Sequence, residues 1–212
     1  MRPGSVFRTG WTLLAGCPDA DAQLAPRRWS VDLRSSPERE LLTEGARRRL
    51  AHVPVDMPGV AARLRGRPTS DNYVSLYQDM ARSCGTEIAA VIRVTADRLS
   101  QGVVLGCSLG KDRTGVVVAL LLKLLGLPVR DILTADTAAL ETASGCTPAV
   151  DAYARQRGIN GAELIRRMRL GTPALEPLLV MVDERYGGVE PYLREHGVSG
   201  TDTTTLRRGL LV

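Results

Sequence analysis

The chain has 212 residues, 44% of them hydrophobic and only 4% aromatic, with a formal net charge of +5. That length holds one domain, 1–212, whose core must come from Leu, Val and Ala, and the diffuse charge argues against a nucleic-acid partner. No signal peptide and no apolar run long enough to cross a bilayer is visible, so a cytoplasmic location is expected.

Taken in chain order, residues 1–30 read as an irregular lead with a short helix. Trp29 to Arg34 (WSVDLR) reads as a strand. Ser36-Pro37 opens a helix, since Ser caps and Pro suits the first position. His52 to Val55 reads as another short strand. Asp71 to Gln101 is helical with a break at Gly85, and Tyr73, Tyr77 and Met80 share a face that suits core packing. Gly102 to Gly106 is a short β-branched run that reads as a buried strand. From Thr114 the chain is apolar nearly all round, as in a buried helix, and stops at Gly126 before Pro128. Lys123 on that helix is expected to snorkel to the surface. Asp131 to Thr142 and the segments after Pro148 are further helices. The pattern predicts an α/β fold: a central, mostly parallel sheet of about four or five strands flanked by helices, with a helical C-terminal part at about 148–212. The basic clusters at 47–50 and 166–169 read as solvated helix faces. The excess of arginine, with only Lys111 and Lys123 as lysines, suggests a GC-rich bacterial genome.

Between the predicted strand and the apolar helix lies GCSLGKDRTG, Gly106 to Gly115. A loop that feeds a helix N-terminus presents unpaired N–H groups and a partial positive charge, so it binds anions. Gly110 lets successive amides turn inward. Ser108, Leu109, Gly110, Lys111, Arg113 and Thr114 are the candidate phosphate-binding residues. Arg113 supplies a planar fork for two phosphate oxygens. Cys107, at the loop start, is placed where amides and Arg113 stabilise a thiolate nucleophile. The expected chemistry is in-line attack on phosphorus through a cysteinyl phosphate, with a Thr114 hydrogen bond to the departing sulfur and no metal or other cofactor. A nucleotide-binding loop does not fit, because Gly106 and Gly110 stand one residue too close and Asp112 replaces the Ser/Thr after the lysine.

Cys-x5-Arg followed by Thr-Gly resembles the signature loop of the cysteine-dependent protein tyrosine phosphatase superfamily. GKDRTG is similar to its bacterial branch of tyrosine and dual-specificity phosphatases, which also acts on phosphoinositides. Phe7 to Gly10 (FRTG), Val31 to Glu40 (VDLRSSPERE), Tyr73 to Met80 and Glu184 to Leu211 resemble further segments of that branch. The resemblance implies Cys107 as nucleophile and Arg113 as phosphate clamp. It makes Asp112 a candidate general acid and Asp32, beside Arg34, the second; their other readings are a helix cap and a loop tether. Lys111 is either extra charge for acidic substrates or a solvated loop residue. Tyr73 to Met80 falls where that branch forms a substrate-side lid. Two positions depart from the branch: Gly106 replaces the usual His, and Leu109 replaces Ala and is expected to reshape the pocket rim.

Three substrate classes follow: a phosphotyrosine protein, a phosphoinositide, or a small phosphorylated metabolite such as a nucleoside or sugar phosphate. The missing His, Leu109 and the scarcity of aromatic residues lean toward the metabolite, since a phosphotyrosine ring wants an aromatic wall. An inactive phosphate-binding protein is the alternative from another class. Cys17, Cys84, Cys107 and Cys146 form no metal-binding pattern, though any of the other three could pair with Cys107. His52 and His196 have no partners at catalytic spacing and read as structural.

Overall fold

The computed structural model describes residues 5–11, 29–40, 50–57 and 59–211. Four parallel strands form one sheet in the order β1-β4-β2-β3: β1 Val6–Gly10, β2 Trp29–Asp32, β3 Ala51–His52 and β4 Val103–Cys107. The expected parallel α/β sheet is present, with helices α1 Ser36–Glu40, α2 Val60–Arg63, α3 Ser70–Ser83, α4 Gly85–Arg98, α5 Asp112–Leu124, α6 Val129–Ser144, α7 Thr147–Gln156, α8 Gly161–Arg169, α9 Gly171–Tyr186, α10 Val189–Glu195 and α11 Gly200–Leu210.

β4 is the hub. Every one of its residues is buried, and it pairs with β1 on one side and β2 on the other. A strand buried on both faces reads as a continuous apolar run, which made β4 legible. β1 lies in the stretch expected to be irregular, and this is a correction. VFRTG has no alternation, and it becomes a strand because β4 needs a partner on that side. The expected short helix of the lead lies outside the described residues. β3 is shorter than expected, although Val53 and Val55 still donate to Asp32 O at 3.0 Å and Leu33 O at 3.2 Å.

The helix breaks at Cys84, and the glycine that opens the next helix, Gly85, has a steric cause. A Cβ there would lie 2.1 Å from the ring of His196, and His196 is fixed by its Nδ1, 2.8 Å from Tyr192 O. His52 is likewise structural, with Nε2 2.8 Å from Arg34 O. Gly126 takes the left-handed turn that ends α5, at φ 86°. Lys123 reaches the surface and pairs with Asp183 at 3.3 Å. No helix among the described residues is long and apolar enough to cross a membrane.

Two cores result. The main one joins the sheet to α3, α4, α5 and α9, and contains Tyr73, Tyr77 and Met80. A smaller one lies among α6, α7 and α8 and is built on Leu140, Val150, Leu164 and Met168. The basic run on α8 is not merely solvated. Arg166 and Arg167 both pair with Glu163. They also reach across to the carbonyls of Pro68, at 3.2 Å, and of Leu64 and Gly66, at 3.3 and 2.5 Å. Arginine stems can cross from one segment to another in this way because each guanidinium carries five donors. The other basic run, at 47–50, lies outside the described residues except for Leu50.

Candidate active site

The strand register sets the site. Gly10 stands opposite Cys107, and Asp32 opposite Gly106, so the carboxyl ends of β1, β4 and β2 converge where ligands of such sheets bind. The loop then turns at Gly110, φ +69°, into α5. It lies against the end of β1 with no room to spare. A Cβ on Gly110 would stand 2.6 Å from Thr9 O, and one on Gly10 2.6 Å from the Leu109 carbonyl carbon.

Gly106 follows the same logic. A Cβ there would stand 2.6 Å from Trp11 Nε1 and 2.8 Å from Thr9 Cγ2. The indole of Trp11 occupies the space that any side chain at position 106 would need. The departure from the expected His is therefore compensated in volume by a residue nearly a hundred positions away in sequence. Trp11 is 8% exposed, and its N–H has no hydrogen-bond partner.

Arg113 is 3% exposed and points back under the loop. Glu38, from α1, holds it at two points: Nη1 donates to Oε2 at 2.5 Å and Nη2 to Oε1 at 2.9 Å. Ser108 donates to the same carboxylate at 2.6 Å, as does Ser35 through its hydroxyl at 2.9 Å and its amide at 3.1 Å. Burial alone would raise the Glu38 pKa; the Arg113 ion pair and the Ser108 and Ser35 bonds overturn that and hold it well below the usual carboxylate range. For Arg113, burial works against its charge, while Glu38 and Cys107 raise its pKa. The pair leaves one edge of the guanidinium unused. Arg113 Nε and the hydroxyl of Thr114 are buried without a hydrogen-bond partner. Such groups are uncommon in folded proteins and call for an explanation. The hydrogen bond from Thr114 to sulfur suggested by the sequence is not made here.

Lys111 and Asp112 turn inward together. Lys111 Nζ donates to Asp112 Oδ1 at 2.7 Å and stands 3.4 Å from the centroid of the Tyr73 ring. Tyr77 donates its hydroxyl to the same Oδ1 at 2.8 Å. Burial lowers the Lys111 pKa, and Asp112 opposes the shift. Lys111 is 3% exposed, so it is not a solvated loop charge. Asp112 does not cap α5; its carboxylate is held by Lys111 and Tyr77. Tyr153, on α7, lies close enough to feel Cys107, Glu38 and Asp112. Burial is the main cause of its raised pKa, and Arg157 opposes it. Tyr73 and Tyr77 thus lie against the loop, and Tyr153 packs with Leu109 against the smaller core.

Asp32 sits below this layer. It is fully buried, and both of its oxygens accept from Arg34 at 2.9 Å, with the Arg34 amide at 3.1 Å. Its carboxylate fixes the turn after β2 and faces no open space. Leu109 is half-buried, and its side chain packs against the smaller core under α7 and α8. Cys107 and Cys84 are free thiols, and Cys146 is disulfide-bonded without involving Cys107. Among the described residues, no group of His, Cys, Asp and Glu is arranged to hold a metal. Glu38 was missed as a site residue. Its signal was present in the Ser-Pro-Glu helix start after β2, but nothing local in sequence ties that helix to Arg113.

A family model described as the tyrosine phosphatase family matches residues 1–212. No curated protein matches the chain.

Two outcomes are expected. Glu38 has a depressed folded pKa, so its charge contributes stability that is complete above the ordinary carboxylate range and is lost as pH falls through the folded value. The gap in unfolding free energy between the parent and Glu38→Gln, read by urea titration, should be large at neutral pH and shrink on acidification. An equal gap at both would show that the charge is not what matters. Second, Gly106→Ala should cost about 1–3 kcal/mol of stability through overpacking. In the Trp11→Leu background the same change should cost clearly less; additive costs would mean the indole is not the obstacle.

Proposed function

Given that the chain belongs to the tyrosine phosphatase family, we propose that it hydrolyses phosphate monoesters by way of a cysteinyl phosphate on Cys107. The observation that carries this reading is the pair of buried, unpartnered donors, Arg113 Nε and Thr114 Oγ1, in the first turn of the helix that follows Cys107. A phosphoryl group placed over Cys107 gives Arg113 Nε and the inward amides their acceptors. Thr114 then has the sulfur to serve when it leaves.

The steps balance as follows. The Cys107 thiolate attacks phosphorus, the P–S bond forms and the P–O ester bond breaks. Asp112 gives its proton to the leaving oxygen. Water then attacks the phosphocysteine and returns a proton to Asp112, and the P–S bond breaks to release inorganic phosphate and the thiolate. Arg113, kept in place by Glu38, holds the equatorial oxygens throughout. We assign the acid to Asp112 rather than Asp32, because Asp112 lies in the loop layer while Asp32 is enclosed by Arg34. The Tyr77 hydroxyl and the Lys111 ammonium hold Asp112 Oδ1 in place, which leaves Oδ2 as the oxygen that carries the proton.

The lean toward a small metabolite rests on the missing His, on Leu109 and on the scarcity of aromatic residues, and it is the last of these that the structure bears on. The placement of the aromatic residues weakens it: Tyr73 and Tyr77 lie against Lys111 and Asp112, and Tyr153 packs with Leu109 against the smaller core. The reading best supported is an aryl phosphate, that is, phosphotyrosine, with phosphoinositides and metabolites as competitors. Cys107 must stay reduced to react, which suits a reducing compartment such as the cytoplasm; the Cys146 disulfide points the other way.

The test is phosphate release from phosphotyrosine peptides, phosphoinositides and nucleoside or sugar monophosphates. Cys107→Ser should abolish turnover and keep phosphate binding, and Arg113→Ala should lose both. Asp112→Asn should lose about 10²–10⁴-fold with poor leaving groups and much less with activated aryl phosphates. Tyr153→Ala should raise KM for aryl esters while leaving alkyl esters unchanged. Wild-type turnover in Cys107→Ser would overturn the mechanism, and a metabolite cleaved far faster than the peptides would overturn the substrate class.

A further inference from the structure

The catalytic loop is gripped from outside by a residue that touches neither the thiol nor the phosphate clamp. Arg8, in the middle of β1, donates to the Gly110 carbonyl twice, from Nη2 at 2.6 Å and from Nε at 3.2 Å. Its remaining nitrogen, Nη1, donates to Asp136 Oδ1 of α6 at 2.5 Å. The other oxygen of Asp136 accepts from the Thr172 hydroxyl at 2.5 Å, in the first turn of α9. Arg8 and Asp136 are 14% and 6% exposed, so the pair is largely withdrawn from water. Gly115 of α5 lies directly against it; a Cβ there would be 3.4 Å from Asp136 Oδ1.

The position of this grip is chemically specific. The Gly110 carbonyl and the Lys111 N–H belong to one peptide unit, and in a trans peptide the two point in opposite directions. Pulling the Gly110 oxygen outward toward Arg8 turns the Lys111 N–H inward, toward the space enclosed by the loop. Gly110 can take this orientation because its φ is +69°. The far end of the chain of bonds is equally well placed. Thr172 follows Gly171, where a Cβ would stand 2.5 Å from the Tyr77 hydroxyl and 2.8 Å from Lys111 Cε. It also directly follows α8, the second helix of the pair whose core receives Leu109.

We propose that Arg8, Asp136 and Thr172 form a positioning relay that aims the Lys111 amide at the transferring phosphoryl group and makes that aim depend on how α9 and the α7–α8 pair are seated. The proposal rests on the phosphatase reading for its consequence in catalysis, but the relay itself acts on oxyanion binding. Arg8 is a positioning residue and touches no reacting atom.

Orthovanadate binding by calorimetry tests it, alongside kcat and KM with an aryl phosphate. Arg8→Lys keeps the charge but loses the two-nitrogen hold on one carbonyl. Asp136→Asn keeps the shape and loses the anchor charge, and Thr172→Val keeps the shape and loses the hydroxyl. Each should weaken vanadate binding about 3- to 30-fold, and kcat should fall more than KM rises. The double variant Asp136→Asn/Thr172→Val should lose no more than its worse parent, because both changes cut one chain of bonds. Vanadate affinity within about twofold of the parent in Arg8→Lys and Thr172→Val, or losses that multiply in the double variant, would overturn the relay. Should Asp136→Asn be unfolded by circular dichroism at the assay temperature, Arg8→Lys combined with Thr172→Val takes its place. A parent protein that binds vanadate but releases phosphate from no ester would sink the catalytic reading alone, since the relay is read in binding.

Discussion

A guanidinium withdrawn from water must have an anion, and Arg113 has Glu38. This two-point pair is the constraint on which the rest of the site depends. Removing one partner of a buried pair leaves an uncompensated charge and costs several kcal/mol; with Glu38 a quarter exposed, the figure here sits at the lower end. The pair fixes the plane of the guanidinium and so decides which edge is left without a partner. It also ties α1, after β2, to α5, after β4, across the carboxyl end of the sheet. Ser108 joins the same carboxylate from within the loop, so one side chain orients the clamp and the loop together.

Beyond these charged groups and the Arg8 grip on Gly110, the loop is held by close contact. Gly10, Gly106, Gly110 and Gly171 each lie where a methyl group would meet another atom at under 3.0 Å. Close backbone approach of this kind makes the loop stiff, because there is no void into which it can relax. Stiffness is what an oxyanion site needs, since donors that are already aimed have no reorganisation to undergo when charge develops.

The chemical centre was legible because it is local. Cys107, Gly110 and Arg113 lie within one turn of chain between an apolar strand and an apolar helix, and such a junction has few readings. The parallel sheet was legible through β4, whose burial on both faces shows as unbroken apolar sequence, and through the short β2 run before Arg34. What was not legible acts across long sequence separations. β1 is a strand because β4 requires a neighbour, not because VFRTG has strand periodicity. Glu38 lies 75 residues from Arg113. The purpose of Gly106 appears only when Trp11 is seen lying on it. That Leu109 packs against a core built by α6 to α8 also leaves no mark in the local sequence. Arg166 and Arg167 looked solvated because carbonyl acceptors on another segment leave no mark in sequence.

The exchange between Trp11 and Gly106 has a consequence for how such a chain can change over time. The two positions share one space, so bulk in this corner is fixed as a sum rather than at either position. Placing a large group at position 106 requires first emptying position 11, and passes through an intermediate with either a clash or a hole beside Cys107. Neither single step is free of cost, and only the two together restore the packing.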